Sequence, residues 1–213
     1  MTAGLRLDGR DSVRAGRLRV KFRLTVPRFK RAFDIAGACA GLVVFAPVLA
    51  VVIIAVLLDD GRPVLFRQRR LGWRRQPFSI LKIRTMREGQ TTRVGRVLRA
   101  TGFDELPQFV NILRGEMSAV GPRPLTEDDV RRFGWTGAEF DFRWDSKPGL
   151  TGLAQIVGAQ SMQDALELDR AYSARWSPVL DCQLIGWSFA VNAFGKTRVQ
   201  QWVRRTARFD SLG

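Results

Sequence analysis

The sequence predicts an α+β protein, mostly helical, with one small β-hairpin and a monotopic membrane anchor built as a re-entrant helix-break-helix. Three observations carry that expectation: an uncharged apolar run from Ala36 to Leu58 with Pro47 inside it, partly alternating residues between Val64 and Arg84, and helical spacing beyond Thr101. No GxGxxG follows a strand pattern, so a Rossmann nucleotide fold is not expected. At 213 residues and 46% hydrophobic content, the chain can bury one sizeable core.

The anchor comes first along the chain. As a straight helix, residues 36–58 would reach about 34 Å, enough to cross a bilayer core. Charge argues against crossing. Residues 1–31 hold ten Lys/Arg against two Asp, and Arg62, Arg67, Arg69, Arg70, Arg74 and Arg75 follow the run. A spanning helix would put one of these clusters on the non-cytoplasmic side, against the positive-inside rule. Pro47 removes a backbone hydrogen bond mid-run and crowds the preceding turn, so a kink is expected there. Each half, about 15–20 Å long, can dip to mid-bilayer and return.

After the anchor, Val64-Leu-Phe-Arg-Gln and Pro77-Phe-Ser-Ile-Leu-Lys-Ile-Arg flank a basic turn containing Gly72 and read as a hairpin. Leu106, Val110 and Leu113 then fall at helical spacing, with Gly115 as the stop. Asp104 and Glu105 stand at the start of that helix, with Pro107 in its first turn. The free N–H groups of a helix start favour anions. Asp104 as a plain N-cap is the bland alternative. From Leu184 to Trp202, apolar residues at mixed helical spacing suit either a helix on the membrane interface or one packed on the domain.

Composition narrows the chemistry. The chain has no histidine, which removes Ser-His-Asp and Cys-His catalysis, and its cysteines, Cys39 and Cys182, form no CxxC. Oxygen ligands remain, so Mg²⁺ is the expected metal. The net charge of +15 calls for a polyanionic partner. Between Arg62 and Arg123 there are fourteen Lys/Arg and four Asp/Glu, and the adjacent pair Asp104 and Glu105 stands out. Surrounding cations are expected to lower the carboxylate pKa and to recruit phosphates or a metal. Such a pair can both hold a metal and attack phosphorus. Arg123, between two prolines in Gly121-Pro-Arg-Pro, is rigidly presented for a forked bond to phosphate or carboxylate. Lys82, Arg84 and Arg99 are further candidate phosphate clamps, each equally readable as a solvated residue.

Five blocks then occur in order: Lys30-Arg-Ala-Phe-Asp, Leu81-Lys-Ile-Arg-Thr-Met, Asp104-Glu-Leu-Pro-Gln with Asn111, Gly115-Glu-Met-Ser-Ala-Val-Gly-Pro-Arg-Pro, and Lys147-Pro-Gly-Leu-Thr-Gly-Leu-Ala-Gln. Together they resemble the bacterial sugar transferase family, the monotopic polyprenyl-phosphate phosphoglycosyl transferases that start surface glycan assembly. The resemblance runs from about Lys30 to Ser188. It implies an enzyme of the cytoplasmic membrane, its catalytic domain facing the cytoplasm, that moves a sugar phosphate from a UDP-sugar to polyprenyl phosphate and releases UMP. It also implies that Asp104 attacks the sugar-bearing phosphate to give a phosphosugar-enzyme intermediate, which the lipid phosphate then displaces. Glu105 falls to metal or lipid-phosphate contact and Arg123 to the nucleotide end.

Some positions depart from the family pattern. Ala46 precedes Pro47 where relatives commonly carry Ser. After Gln155 the chain reads Ile156-Val157-Gly158-Ala159 where relatives often read Val-Asn-Gly-Arg, and Arg175 takes a position often Asn. Asp169, Tyr172, Trp176, Ser177 and Asp181 keep the pattern. The expected division is a basic flexible arm over 1–29, the re-entrant helix over 30–60, the transferase domain over 61–190 and an amphipathic basic tail over 191–213.

Two rival classes stand against an enzyme. A membrane-anchored nucleic-acid binder would explain the charge, but only Phe66, Trp73 and Phe78 interleave with the basic loop and no recognition-helix or RNP motif is present, so nucleic acid is not an expected partner. A catalytically inactive scaffold binding the lipid or assembly partners would keep the anchor and arginines without needing the acidic pair. The sugar and the oligomeric state, a homo-oligomer included, are open at this level.

Overall fold

The structure is a computed structural model and describes residues 28–206. Most of the expected arm, residues 1–27, and the end of the tail, residues 207–213, lie outside the described residues. Helix α1, Arg28–Asp60, contains the whole apolar run and stays helical across Pro47 as one element. Among the described residues it is the one helix long and apolar enough to cross a membrane. Val43, Val44, Val51, Ile54 and Leu58 are exposed on it, while Ala38, Val52 and Val56 are buried.

Both ends of α1 are tied to the rest of the protein. At the start, Lys30 Nζ lies 2.6 Å from Asp181 Oδ2, and Asp34 Oδ1 accepts from Ser118 Oγ at 3.0 Å and the Ala119 amide at 2.9 Å. Arg31 donates to the Ile112 and Leu113 carbonyls. At the other end Asp60 pairs with Arg84 at 2.7 Å and Arg87 at 3.3 Å. Between them Val52 and Val56 pack with Ile83 and Leu98. Each such aliphatic side chain, fully buried, contributes about 1.5–3 kcal/mol.

The hairpin forms as the alternation predicts. Strand β1, Leu65–Leu71, runs antiparallel to β2, Pro77–Ile83, with Phe66 opposite Lys82 and Arg70 opposite Phe78. Phe78 and Ile80 point into a core with Ala38, Ile112 and Met117. A second, minimal ladder joins β3, Met86–Arg87, to β4, Gln90–Thr91. Helix α2, Arg93–Thr101, follows, started by the Thr92 hydroxyl accepting from the Gly95 amide.

Helix α3, Gln108–Arg114, ends at Gly115 as expected, but starts later than the spacing suggests. Asp104 and Glu105 sit in a separate 3-10 turn, Phe103–Glu105, and Pro107 occupies the N-cap position. The N–H groups of Leu106, Phe109 and Val110 are engaged by the carbonyls of Phe103, Leu106 and Pro107. Asp104 is therefore not the cap of α3, and the free helix start expected to attract anions is largely satisfied from within.

Strand β5, Ser118–Val120, pairs in parallel with β6, Gly149–Thr151. Between them lies α4, Glu127–Arg132, opened by a capping box of Thr126 and Asp129. Helices α5, Leu153–Val157, α6, Met162–Arg175, α7, Pro178–Phe194, and α8, Lys196–Thr206, complete the described chain. The expected tail boundary at residue 190 falls inside α7. Val199 and Val203 of α8 are buried in one core with Val120, Leu153, Ile156, Tyr172 and Leu184. On these residues α8 follows the packed-helix alternative, while Phe189, Phe194 and Trp202 remain exposed.

Candidate active site

The turn carrying the acidic pair follows from a glycine. Gly102 ends α2 at φ 73°, a left-handed conformation that costs a glycine little. The chain then turns into Phe103–Glu105. Phe103 packs into the cluster of Val52, Val56, Ile83 and Leu98, and its ring lies 6.3 Å from Phe45, two residues before Pro47. The acidic pair thus sits beside the middle of the anchor helix.

The two carboxylates have different surroundings. Asp104 is buried at 8% exposure, whereas the Glu105 side chain is 34% exposed and lies 2.5 Å from Lys82 Nζ. No ion pair ties up the Asp104 carboxylate among the described residues; its own amide supplies a hydrogen bond. The Asp104 pKa is raised, first by burial and then by the Glu105 charge, with Lys82, the amide and Arg99 pulling the other way. This corrects the expectation that the cations would prevail. Removal from water outweighs them because it penalises only the charged form.

The candidate clamps separate into three groups. Lys82 and Arg99 both act electrostatically on Asp104, and Arg99 Nε donates to the Thr85 hydroxyl at 3.0 Å. Arg84 is engaged by its own chain: it donates to the carbonyls of Asp60, Gly61 and Arg62 at 2.8, 2.9 and 3.1 Å and pairs with the Asp60 carboxylate. It stands at the negative end of the α1 dipole, where a cation is favoured. Arg123 is exposed and lines a shallow cleft with Gly72, Pro122, Trp144 and Ser146, beside Arg70 rather than beside the acidic pair.

Two residues of the Asp104-Glu-Leu-Pro-Gln block and its neighbourhood support this site without having been assigned a role. Asn111, fully buried, accepts from the Leu81 amide at 3.0 Å and donates to the Ser79 carbonyl at 2.8 Å, which pins β2 and hence Lys82 to α3. Gln108 is 2% exposed, and its side-chain nitrogen has no partner among the described residues. The quoted motif contained both residues, but nothing in their spacing separates a pin from a ligand contact.

Among the described residues no group of three or more His, Cys, Asp or Glu stands together as a cation site. Two adjacent carboxylates still suit Mg²⁺, which commonly takes one or two carboxylates and completes its shell with water and substrate phosphates.

A helix long and apolar enough to cross a membrane, beside a buried carboxylate and the cations Lys82 and Arg99, is consistent with a membrane-associated protein equipped to handle anionic substrates. A family profile described as bacterial sugar transferase matches residues 25–195. Over 184 residues the chain is 38% identical to the UDP-glucose:undecaprenyl-phosphate glucose-1-phosphate transferase of Caulobacter vibrioides, covering 76% of this chain and 69% of that protein. It is 36% identical over 187 residues to the Exopolysaccharide production protein ExoY of Rhizobium meliloti, covering 73% and 81%. The UDP-glucose:undecaprenyl-phosphate glucose-1-phosphate transferase of Escherichia coli is 36% identical over 177 residues, covering 73% of this chain but 38% of that longer protein. The chain belongs to the bacterial sugar transferase family and is a phosphoglycosyl transferase enzyme.

Proposed function

We propose that this chain transfers a sugar 1-phosphate from a UDP-sugar to polyprenyl phosphate, through a covalent intermediate on Asp104, and so initiates a surface polysaccharide or glycoconjugate. The carrying observation is the asymmetric pair: Asp104 buried and outside any ion pair among the described residues, Glu105 neutralised by Lys82. In the first step an Asp104 carboxylate oxygen attacks the sugar-bearing phosphorus. A bond forms from that oxygen to phosphorus, the bond to the bridging oxygen breaks, and UMP leaves with the electron pair. In the second step an oxygen of polyprenyl phosphate attacks the same phosphorus and regenerates the Asp104 carboxylate. Neither step needs a histidine, since a carboxylate nucleophile requires no proton removal once ionised.

Lys82 and Arg99 face the carboxylate from the cationic side, where they would offset charge as the phosphoryl group approaches. Mg²⁺, held by Asp104 and Glu105 with the substrate phosphates, would supply further charge neutralisation. Arg123 is read as the nucleotide contact.

A re-entrant anchor with the catalytic domain on the cytoplasmic face fits this chemistry. Support comes from the ties at Lys30 and Asp60, which bind both ends of a helix about 50 Å long to the same folded body. The basic residues flanking α1 favour the cytoplasmic side for both ends. Both ends on one face keep the folded body on the side where a polyprenyl phosphate presents its charge and a soluble sugar nucleotide can arrive.

The test is UMP release from a panel of UDP-sugars by detergent-solubilised protein with undecaprenyl phosphate, with and without EDTA. Lipid-dependent release that EDTA abolishes is the expected result. Folded protein silent across the panel would favour the inactive scaffold.

A further inference from the structure

The loop Gly121-Pro-Arg-Pro, between β5 and α4, is held by its backbone from outside. Four consecutive carbonyls have donors elsewhere in the chain. The Pro122 carbonyl accepts from the Gly149 amide at 2.9 Å, and the Leu125 carbonyl from the Leu71 amide at 2.8 Å. Between them, the Arg123 carbonyl accepts from Arg143 Nη2 at 2.6 Å and the Pro124 carbonyl from Arg70 Nη1 at 3.2 Å. Gly149 approaches so closely that a Cβ there would meet the Gly121 amide nitrogen at 2.1 Å. The prolines on either side of Arg123 fix φ at their own positions.

The side chain of Arg123 contrasts with this backbone. It is exposed and has no ion-pair partner among the described residues. Its charge lies close enough to oppose that of Arg70, whose pKa is lowered first by burial and then by Arg123. Arg70 is itself paired with Asp129, whose Oδ2 lies 3.4 Å from Nη1, so of the two neighbouring guanidinium groups it is Arg123 that presents an exposed fork suited to a phosphate.

The groups doing the holding are themselves fixed. Arg143 is 4% exposed, donates from Nε to Asp169 Oδ2 at 2.9 Å, and lies against the rings of Trp135 and Trp144 at 5.5 and 5.2 Å. Arg70 is oriented by Gln68, whose Oε1 accepts from both Nε at 3.1 Å and Nη2 at 2.5 Å. A buried ion pair is an expensive way to close a loop, because desolvation offsets most of its attraction. Its fork geometry does one thing a neutral donor would not: one edge of the guanidinium is locked to Asp169 while the other aims at a single carbonyl.

We infer that Arg143, oriented by Asp169, and Arg70, oriented by Gln68 and Asp129, are positioning residues that hold the backbone carbonyls of Arg123 and Pro124 so that the Arg123 guanidinium meets the nucleotide's phosphate pre-aligned. The inference rests on the reading of Arg123 as the nucleotide contact. It adds residues from β1, from the segment before β6 and from α6 to a function that sequence assigned to one loop.

The experiment is calorimetric titration of UMP into the full, detergent-solubilised chain with Mg²⁺, which reads binding without needing the sugar to be known. Variants are Arg123→Ala, Arg143→Lys, Arg70→Lys and the double variant Arg123→Ala/Arg143→Lys, each with its thermal unfolding midpoint. Arg143→Lys keeps a charge for Asp169 but loses the fork, and should weaken UMP binding about tenfold or more. In the Arg123→Ala background it should add nothing, because the group it positions is gone. Arg70→Lys, at the less buried clamp, carries the same expectation and serves if Arg143→Lys does not fold. Wild-type UMP affinity in folded Arg143→Lys and Arg70→Lys, or full additivity in the double variant, would overturn the inference. Wild-type affinity in Arg123→Ala would overturn the reading beneath it, and the inference with it.

Discussion

The Lys82 ammonium lies 2.5 Å from a Glu105 carboxylate oxygen, next in sequence to the buried Asp104. Lys82 therefore acts on Asp104 twice, by its own positive charge and by offsetting the negative charge of Glu105 that raises the Asp104 pKa.

The pH dependence of Lys82→Ala follows with a definite sign. Loss of a cation that lowers the Asp104 pKa leaves it higher still, so the acid limb of kcat/KM should move to higher pH than in wild type. Glu105→Gln removes a raising charge and should move that limb the other way. At the optimum, Lys82→Ala should lower kcat about 10²–10³-fold. UMP release measured across pH for the three proteins checks both direction and size.

Lys30 should matter for stability out of proportion to its place near the start of α1. It pairs with Asp181, 2% exposed, which also accepts from Tyr172 at 2.8 Å and Trp176 at 3.0 Å. Burial and the Asp181 charge hold the Tyr172 phenol well above its ordinary pKa, so it remains a donor. Lys30→Met strands the Asp181 charge and should destabilise by about 3–5 kcal/mol. Denaturant unfolding in a fixed detergent measures it, and a change under about 1 kcal/mol would mean that solvent reaches Asp181.

Truncation after Gly195 removes α8, which begins where the family match ends. It uncovers the core around Val120, Leu153 and Ile156 and forfeits the burial of Val199 and Val203, worth about 1.5–3 kcal/mol each. The truncated chain should unfold at a lower temperature and be cut faster by protease. Unchanged stability would make α8 an appendage.

These predictions draw unequally on sequence. Period-two alternation announced the hairpin, with Phe78 and Ile80 of β2 facing the core, while β1 is largely exposed and is held by its pairing with β2. The apolar length of α1 and the conspicuous pair at Asp104 were equally plain. What periodicity cannot carry is a partner far along the chain. That Lys30 pairs with Asp181, Arg143 with Asp169, and Arg84 with Asp60 at the end of α1 becomes visible only when the fold joins them. The same limit explains Asp104: its burial in the 3-10 turn ahead of α3, followed by the Glu105 charge, reversed the expected direction of its pKa. For α8, a polar and basic composition masked the two valines that reach the core.

Anchor topology has a direct consequence for labelling. Cys39 and Cys182 are both exposed, so a cysteine-free background is needed, with single cysteines placed at the exposed positions Arg28 and Arg62. Both should react with an impermeant maleimide in inside-out vesicles and be protected in right-side-out ones. Labelling from opposite sides would establish a spanning helix.

The covalent role of Asp104 is tested most directly by rapid-quench measurement of UMP after mixing enzyme with its UDP-sugar in the absence of polyprenyl phosphate. The account predicts a burst of UMP close to one equivalent per enzyme, then a stall until lipid is added, and no burst from Asp104→Asn. Full turnover with lipid but no UMP before its addition would contradict it, and would mean that the lipid phosphate attacks the donor directly.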